Sequence, residues 1–456
     1  MHGKKSPSVP NAACKVSLIP STAATASRDN RETGALLPKP ILALSVMLLL
    51  LISPIARAAD TEKLLYQFRG GVNDGALPLA SLVRDKAGNF YGTTMSGGIG
   101  PCVYNGLPGC GTVFQLSRSG NSWKETVLHK FTRGSDGATP FGALVLDGAG
   151  NLYGTATAGG ASGNGVVFQL SPTQGGAWIE TEVHTFAGGT DGSFPASTLI
   201  FDKAGNLYGT TAFGGGSTVC ESNGCGTVYE LAKSNGNWIE TVLNRFDGSN
   251  GQSPEYSSLT FDQAGDLYGA DPFGGTTGWG VVFELQNSKG NWAENVLYTF
   301  TDSNTDGAIP IGALLRDQSG NLYGTAGSGE GPACGDVFEL KQSTGLTGAY
   351  GFRLLHAFSG SDGCEPFAGL TYDSQNGKIY GTTFGGGKYD SGTLFVLTPN
   401  SGGEWSETVV NSFGISGTDG YAIVAGVILD GSGNLYGTGE FGGADGLGVV
   451  YEIESQ

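Results

Sequence analysis

Gly150-Asn151-Leu152-Tyr153-Gly154-Thr155 is the phrase on which the reading of this chain turns. Slightly varied, it returns around Tyr91, Tyr208, Tyr268, Tyr323, Tyr380 and Tyr436, so that seven tyrosines stand 55 to 62 residues apart. A unit of this length, rich in short apolar runs and glycine, is the signature of propeller blades. Working outward from Tyr153, residues 141–147 form a short apolar strand and 148–150 its turn. Residues 151–155 are the second strand, and a glycine-rich loop over 158–165 leads to the third at 166–170. A Gly175-Gly176 turn precedes the fourth, at 178–186. Four antiparallel strands joined by tight turns make one blade. Apolar residues fall at both parities because each blade is covered on both faces.

The recurring residues have structural explanations. Asp85, Asp147, Asp202, Asp262, Asp317, Asp373 and Asp430 each begin the first turn, where a carboxylate caps turn amides. A phenylalanine ends every fourth strand, from Phe68 and Phe131 to Phe413, and a tryptophan opens five of them. These aromatics are core and seam residues. Asp-Gly recurs between blades at Asp74, Asp136, Asp191, Asp306, Asp362 and Asp419, with Asn250-Gly251 in one unit, and is read as a turn. A fourth-type strand at 63–68 comes before any first strand, and the last unit stops after its third strand at 449–453. The expected fold is therefore all-β. It is a closed seven-bladed β-propeller of four-stranded antiparallel blades, with the N-terminal strand completing the last blade.

Units of the form Asp-Gly-x-x-Pro, Gly-Asn-Leu-Tyr-Gly-Thr, Gly-Gly and Gly-Thr-Val-Phe resemble the GloVer (Gloeobacter/Verrucomicrobia) tandem repeat. The resemblance covers essentially all of residues 60–453. It implies bacterial export and a repeat architecture, and it carries no catalytic residues.

Residues 1–58 read as a leader. The apolar run at 41–55 follows Lys39 and precedes Ala56-Arg57-Ala58, the pattern of a secretory signal peptide cleaved at Ala58. Its fifteen residues are short for a spanning helix, which needs about 20, so no membrane insertion is expected after cleavage. Residues 59–456 form the propeller domain. Without the leader the chain has 17 basic and 39 acidic residues, a net charge of −22. Such a surface repels phosphate backbones, which argues against nucleic acid as a partner.

Six cysteines remain after the leader, an even number in an exported chain. Cys102 and Cys110 share one second-to-third-strand loop, and Cys220 and Cys225 share another. Cys334 precedes a third strand and Cys364 lies in an inter-blade loop. These two loop types emerge on the same face, so all three pairs are expected as disulfides. The Cys/His spacing is not that of a zinc site, and no metal or cofactor is expected.

The same face carries the departures from the repeat. Trp279 is the one tryptophan outside the pattern, and Asp271 and Glu440 replace small residues after Tyr-Gly. Phe141, Glu255 and Tyr256 come from inter-blade loops, and Glu330 from a longer loop. Carboxylates beside aromatic rings suit sugar binding. His129, His184 and His356 share one fourth-strand slot in different blades and do not converge, which excludes a Ser-His-Asp triad. The expectation is an exported monomer, extracellular or periplasmic, that binds a carbohydrate or protein partner on this face. The alternative is a glycan-cleaving enzyme using paired carboxylates there.

Overall fold

The computed structural model describes residues 62–454, apart from 221–222, 257, 304, 329–333 and 344–348. The leader with its Ala58 cleavage site, and Glu330, lie outside the described residues. Within the unit Ala58–Gln456, the strands form seven antiparallel blades of four in a ring. In blade 3 these are Ile200–Phe201, Leu207–Thr211, Thr227–Ser234 and Asn237–Arg245, from the channel outward. Blade 7 takes Ile428–Leu429, Leu435–Gly439 and Val449–Ile453 from the C-terminal end of the chain. Its fourth strand is Glu62–Gln67, paired antiparallel with Val449–Ile453. The expected closure is present.

The repeat phrase has a reason at each letter. Its tyrosine hydroxyl donates to the turn carboxylate in five blades, for example Tyr91 to Asp85 at 3.0 Å and Tyr436 to Asp430 at 3.1 Å. The same carboxylate takes the turn amides, as Asp147 does from the N–H groups of Ala149 and Asn151. Its glycine leaves room for the third-strand aromatic ring: a Cβ on Gly154 would lie 2.6 Å from Phe168 Cζ. Its threonine ties each blade to the next. Thr93, Thr155, Thr210, Thr325, Thr382 and Thr438 donate to backbone carbonyls of the following blade at 2.6 to 3.4 Å, the last from blade 7 to Ala80 of blade 1. Blade 4 has Ala270 in that place.

A second set of contacts seals the seams from inside. The phenylalanine ending each fourth strand packs on the third-strand ring of the next blade, with centroids 4.9 to 5.2 Å apart at all seven seams. Phe68 on Phe114 closes the ring, and both are fully buried. Edge-to-face pairs of this kind add to the stabilisation from area burial.

The first strands differ from expectation. Blade 2 has Ala138–Pro140 and Val145–Leu146 in place of one strand over 141–147. Pro140 has no N–H, Thr139 is left-handed (φ 52°), and the N–H of Ala143 donates to Thr198 Oγ1 of the next blade. Pairing within the blade yields here to pairing between blades.

Candidate functional site

On one face of the ring, the inter-blade loops meet the loops joining second to third strands. Seven residues with left-handed backbone organise that face: Leu77, Thr139, Phe194, Ser253, Ile309, Glu365 and Ala422, with φ from 52° to 61°. Six of them precede proline. Each N–H donates, at 2.8 to 3.2 Å, to a carbonyl just before the third strand of the preceding blade, for example Phe194 to Asn164 and Ile309 to Trp279. A non-glycine residue in this region costs about 1–3 kcal/mol. It persists because proline, the hydrogen bond and the neighbouring blade all fix it together.

The three expected disulfides are present on this face: Cys102–Cys110, Cys220–Cys225 and Cys334–Cys364, with Cα atoms 4.9, 5.1 and 4.3 Å apart. Of eleven exposed large apolar side chains among the described residues, seven lie in these loops. They are Val72, Ile99, Val103, Val219, Trp279, Ile415 and Tyr421. The exposed apolar side chains are thus concentrated on this face.

A cavity of about 570 Å³ lies between blades 2 and 3 on this face. Asn164 comes from blade 2, Ser193 and Phe194 from the inter-blade loop, and Phe213, Ser217 and Thr218 from blade 3. The rings of Phe194 and Phe213 stand 5.7 Å apart. Ser193 and Phe213 exchange backbone hydrogen bonds at 3.0 and 3.1 Å, which fixes both ring-bearing segments. The Cys220–Cys225 bridge closes the blade 3 loop that forms the outer wall. Glycine at 188 leaves room for Asn164, since a Cβ there would meet Asn164 Nδ2 at 2.8 Å. Among the described residues that line the cavity, none is charged. Two rings and several neutral hydrogen-bonding groups around a concave space suit an uncharged polar ligand.

The residues singled out from sequence are dispersed. Phe141 and Tyr256 meet edge to face, centroids 5.3 Å apart, so blades 2 and 4 touch in front of blade 3. Glu255, beside Tyr256, is half-buried, and burial pushes its carboxyl up to about 7 against a hydrogen bond with Tyr256. Trp279 is 41 % exposed and stands outside the cavity.

Asp271 and Glu440 are fully buried. Burial raises the Asp271 carboxyl well above the ordinary carboxylate range, and the amides of Gln252 and Phe273 partly oppose the shift. Its carboxylate lies under Gly251, whose Cβ would come within 2.5 Å of Oδ2. Asn250, which takes the place of the usual aspartate in this blade, donates from Nδ2 to the Glu294 carboxylate. Burial likewise pushes Glu440 up to about 8, and neither of its oxygens has a hydrogen-bond partner. Phe194 and Phe213 were not singled out from sequence. Their signal was an aromatic ahead of Pro195, where other blades carry Leu, Thr, Ser, Ile or Glu, and another ahead of Gly214-Gly215-Gly216.

The histidines sit at three separate seams, as the shared slot implied. Each faces the Asp of the following Asp-Gly: His129 Nε2 and Asp136 are 3.3 Å apart, His184 and Asp191 3.5 Å, His356 and Asp362 3.1 Å. His356, Asp362 and Glu407 bring three ligand-type atoms within 4.8 Å of one another. The same trio of residue types recurs at two other seams, which makes it part of the blade design.

The Gloeobacter/Verrucomicrobia repeat family matches residues 52–221 and 216–407. No curated protein matches the chain significantly. Similar solved structures include a protein of unknown function from Dyadobacter fermentans, 12 % identical, covering 76 % of this chain and 96 % of that one with a TM-score of 0.43. A protein from Lactobacillus plantarum is 15 % identical over 74 % of this chain and 85 % of that one, with a TM-score of 0.48. A putative oxidoreductase (glucose dehydrogenase) from Thermus thermophilus is 16 % identical over 70 % and 93 %, with a TM-score of 0.40. Likeness at this level carries no information on activity.

Proposed function

We propose, for a chain that belongs to the Gloeobacter/Verrucomicrobia repeat family, a binding function: an exported propeller that takes a neutral carbohydrate on its loop face. The observation that carries this reading is the cavity between blades 2 and 3, with the Phe194 and Phe213 rings set among neutral hydrogen-bonding groups. Apolar ring faces stack on the C–H surface of a sugar, and amide and hydroxyl groups read its hydroxyls. The lack of charge among the described lining residues favours an uncharged sugar over a uronate or an acidic peptide.

A binding role accords better with the buried carboxylates than hydrolysis does. Asp271 and Glu440 are fully buried, out of reach of a glycosidic bond, and neither they nor Glu255 belong to the cavity lining. Three disulfides agree with an oxidising compartment, extracellular or periplasmic. Among the described residues no helix is long and apolar enough to cross a membrane.

The test is calorimetry of the purified protein against neutral and acidic oligosaccharides, with mass spectrometry of each mixture afterwards. Heat from neutral sugars that remain intact, lost in Phe213→Ala, is the expected result. Shortened sugars would replace this reading with the glycan-cleaving one. Binding restricted to acidic sugars would sink the cavity assignment.

A further inference from the structure

We propose that the seams between blades are acid-tightened clasps, in which an outer-strand glutamate of one blade is held as a neutral carboxylic acid against the inter-blade loop of the blade before it. At five seams, Glu125, Glu180, Glu240, Glu294 and Glu407 each carry an Oε1 that is sealed from water and has no hydrogen-bond partner among the described residues. A sealed carboxylate oxygen without a donor is costly to ionise. Glu62 occupies the same place at the sixth seam, where it accepts from Gly420 N–H at 3.1 Å and Asn411 at 3.4 Å. The seventh seam is a natural control: Phe352 fills the position and stacks on Tyr298, centroids 4.9 Å apart. The place accepts an uncharged group.

The groups facing each glutamate are mostly acidic. Asp74 faces Glu125, with Lys130 the opposing cation, and Asp136 and Glu182 face Glu180. Asp191 faces Glu240, opposed by His184 and Arg245. Asp247 stands near Glu294, whose other oxygen accepts from Asn244 and Asn250. Asp362 and His356 face Glu407, and Asp419 faces Glu62. Burial, ahead of these charges, pushes Glu125 up to about 8 and the other five to about 7. Hydrogen bonds hold Asp191 and Asp362 below the ordinary carboxylate range, despite the opposing effect of burial. Two carboxyl groups with divided roles share each of these seams, one ionised and one protonated.

The direction in pH follows. A carboxyl whose folded pKa is raised contributes stability fully below its unfolded value of 4.5, and that contribution is lost as pH rises through about 7 to 8. His129, held low by burial, works the other way, while the buried Asp271, Asp336 and Glu440 and the half-buried Glu255 work in the same direction as the seam glutamates. The loss therefore runs from pH 4.5 to about 8 and falls on the seams, including the one that holds the N-terminal strand in place.

The experiment measures the thermal midpoint of the purified protein at pH about 5 and about 8.5. A midpoint higher in acid by roughly 5 °C or more is expected. Glutamine is shaped like the protonated acid, so a variant with Glu125, Glu180, Glu240, Glu294 and Glu407 all changed to Gln should keep the acid midpoint and lose part of the difference, the remainder belonging to Glu62, Asp271, Glu255, Asp336 and Glu440. Equal midpoints in the wild type, or an undiminished difference in the variant, overturns the proposal. Should the fivefold variant not fold, Glu180→Gln and Glu240→Gln are each expected to remove part of the difference, and no change in either overturns it. Infrared difference spectra give an independent readout. A protonated-carboxyl band at neutral pH that shrinks in each single variant supports the clasp, and its absence from the wild type refutes it.

Discussion

The turn between first and second strands is built from the same parts in blade after blade: Asp85, Asn89 and Tyr91 in blade 1 are matched by Asp147, Asn151 and Tyr153 in blade 2 and by Asp430, Asn434 and Tyr436 in blade 7. At the other end, the position before the third strand is Cys110, Asn164, Cys225, Trp279, Cys334, Ser391 and Leu447 in turn. The backbone there is nevertheless the same, since each of those carbonyls accepts from the left-handed residue of the next blade. What the contrast teaches is a division of labour. Repeated side chains hold the ring, while a repeated backbone carries unlike side chains on one face, where the cavity opens.

Breaking the repeated part should have the largest effect. Phe68→Ala removes the buried ring that closes blade 7 on Phe114, and about 3–5 kcal/mol of stability should go with it by urea denaturation. Gly154→Val forces a side chain into Phe168 and Leu144 and should cost about 3 kcal/mol. A loss under about 1 kcal/mol in either case would mean that the seams are looser than their contacts indicate.

Intermediate effects are expected where frame and face meet. Changing Cys220 and Cys225 together to Ser should cost about 2 kcal/mol in the chain-entropy picture. It should also weaken binding by roughly tenfold, because the cavity wall loses its closure. Stability lost with binding intact would separate the bridge from the site. The irregular part should respond in the opposite sense. Phe213→Ala is expected to leave the thermal midpoint within a few degrees and reduce sugar affinity by about tenfold, about 1.4 kcal/mol.

The smallest effect belongs to a single turn. Asp147→Asn should cost about 1 kcal/mol. Hydrogen bonds from Asn151, Ala149 and Tyr153 hold the Asp147 carboxyl below its ordinary value, against burial. Its contribution is therefore present above 3.8 and lost as pH falls through the lower folded value, so the difference between variant and wild type should vanish in strong acid. A gap that persists there would assign the cost to packing.

The ring was legible because each of its parts is local and repeated. Tyr153, Asp147 and Phe186 stand at fixed offsets within one unit, and seven copies turn a weak short-range pattern into a count of blades. The disulfides followed from the same offsets, since loop type fixes the face. Asp271 and Glu440 looked like face residues for the reason that made the ring readable: departures from a repeat draw attention wherever they fall. In the structure both side chains are fully buried, because neighbouring segments close over them, as Gly251 does over Asp271.

Sequence by itself determined the blade, the number of blades, the manner of closure and the cystine pairs, all set by short offsets that recur. Only the tertiary structure decided where the ring opens into a cavity, which carboxylates are sealed, and that Phe194 and Phe213 face each other. Those depend on how loops from two blades are brought together across a seam, and the distance between such loops is written in no single unit.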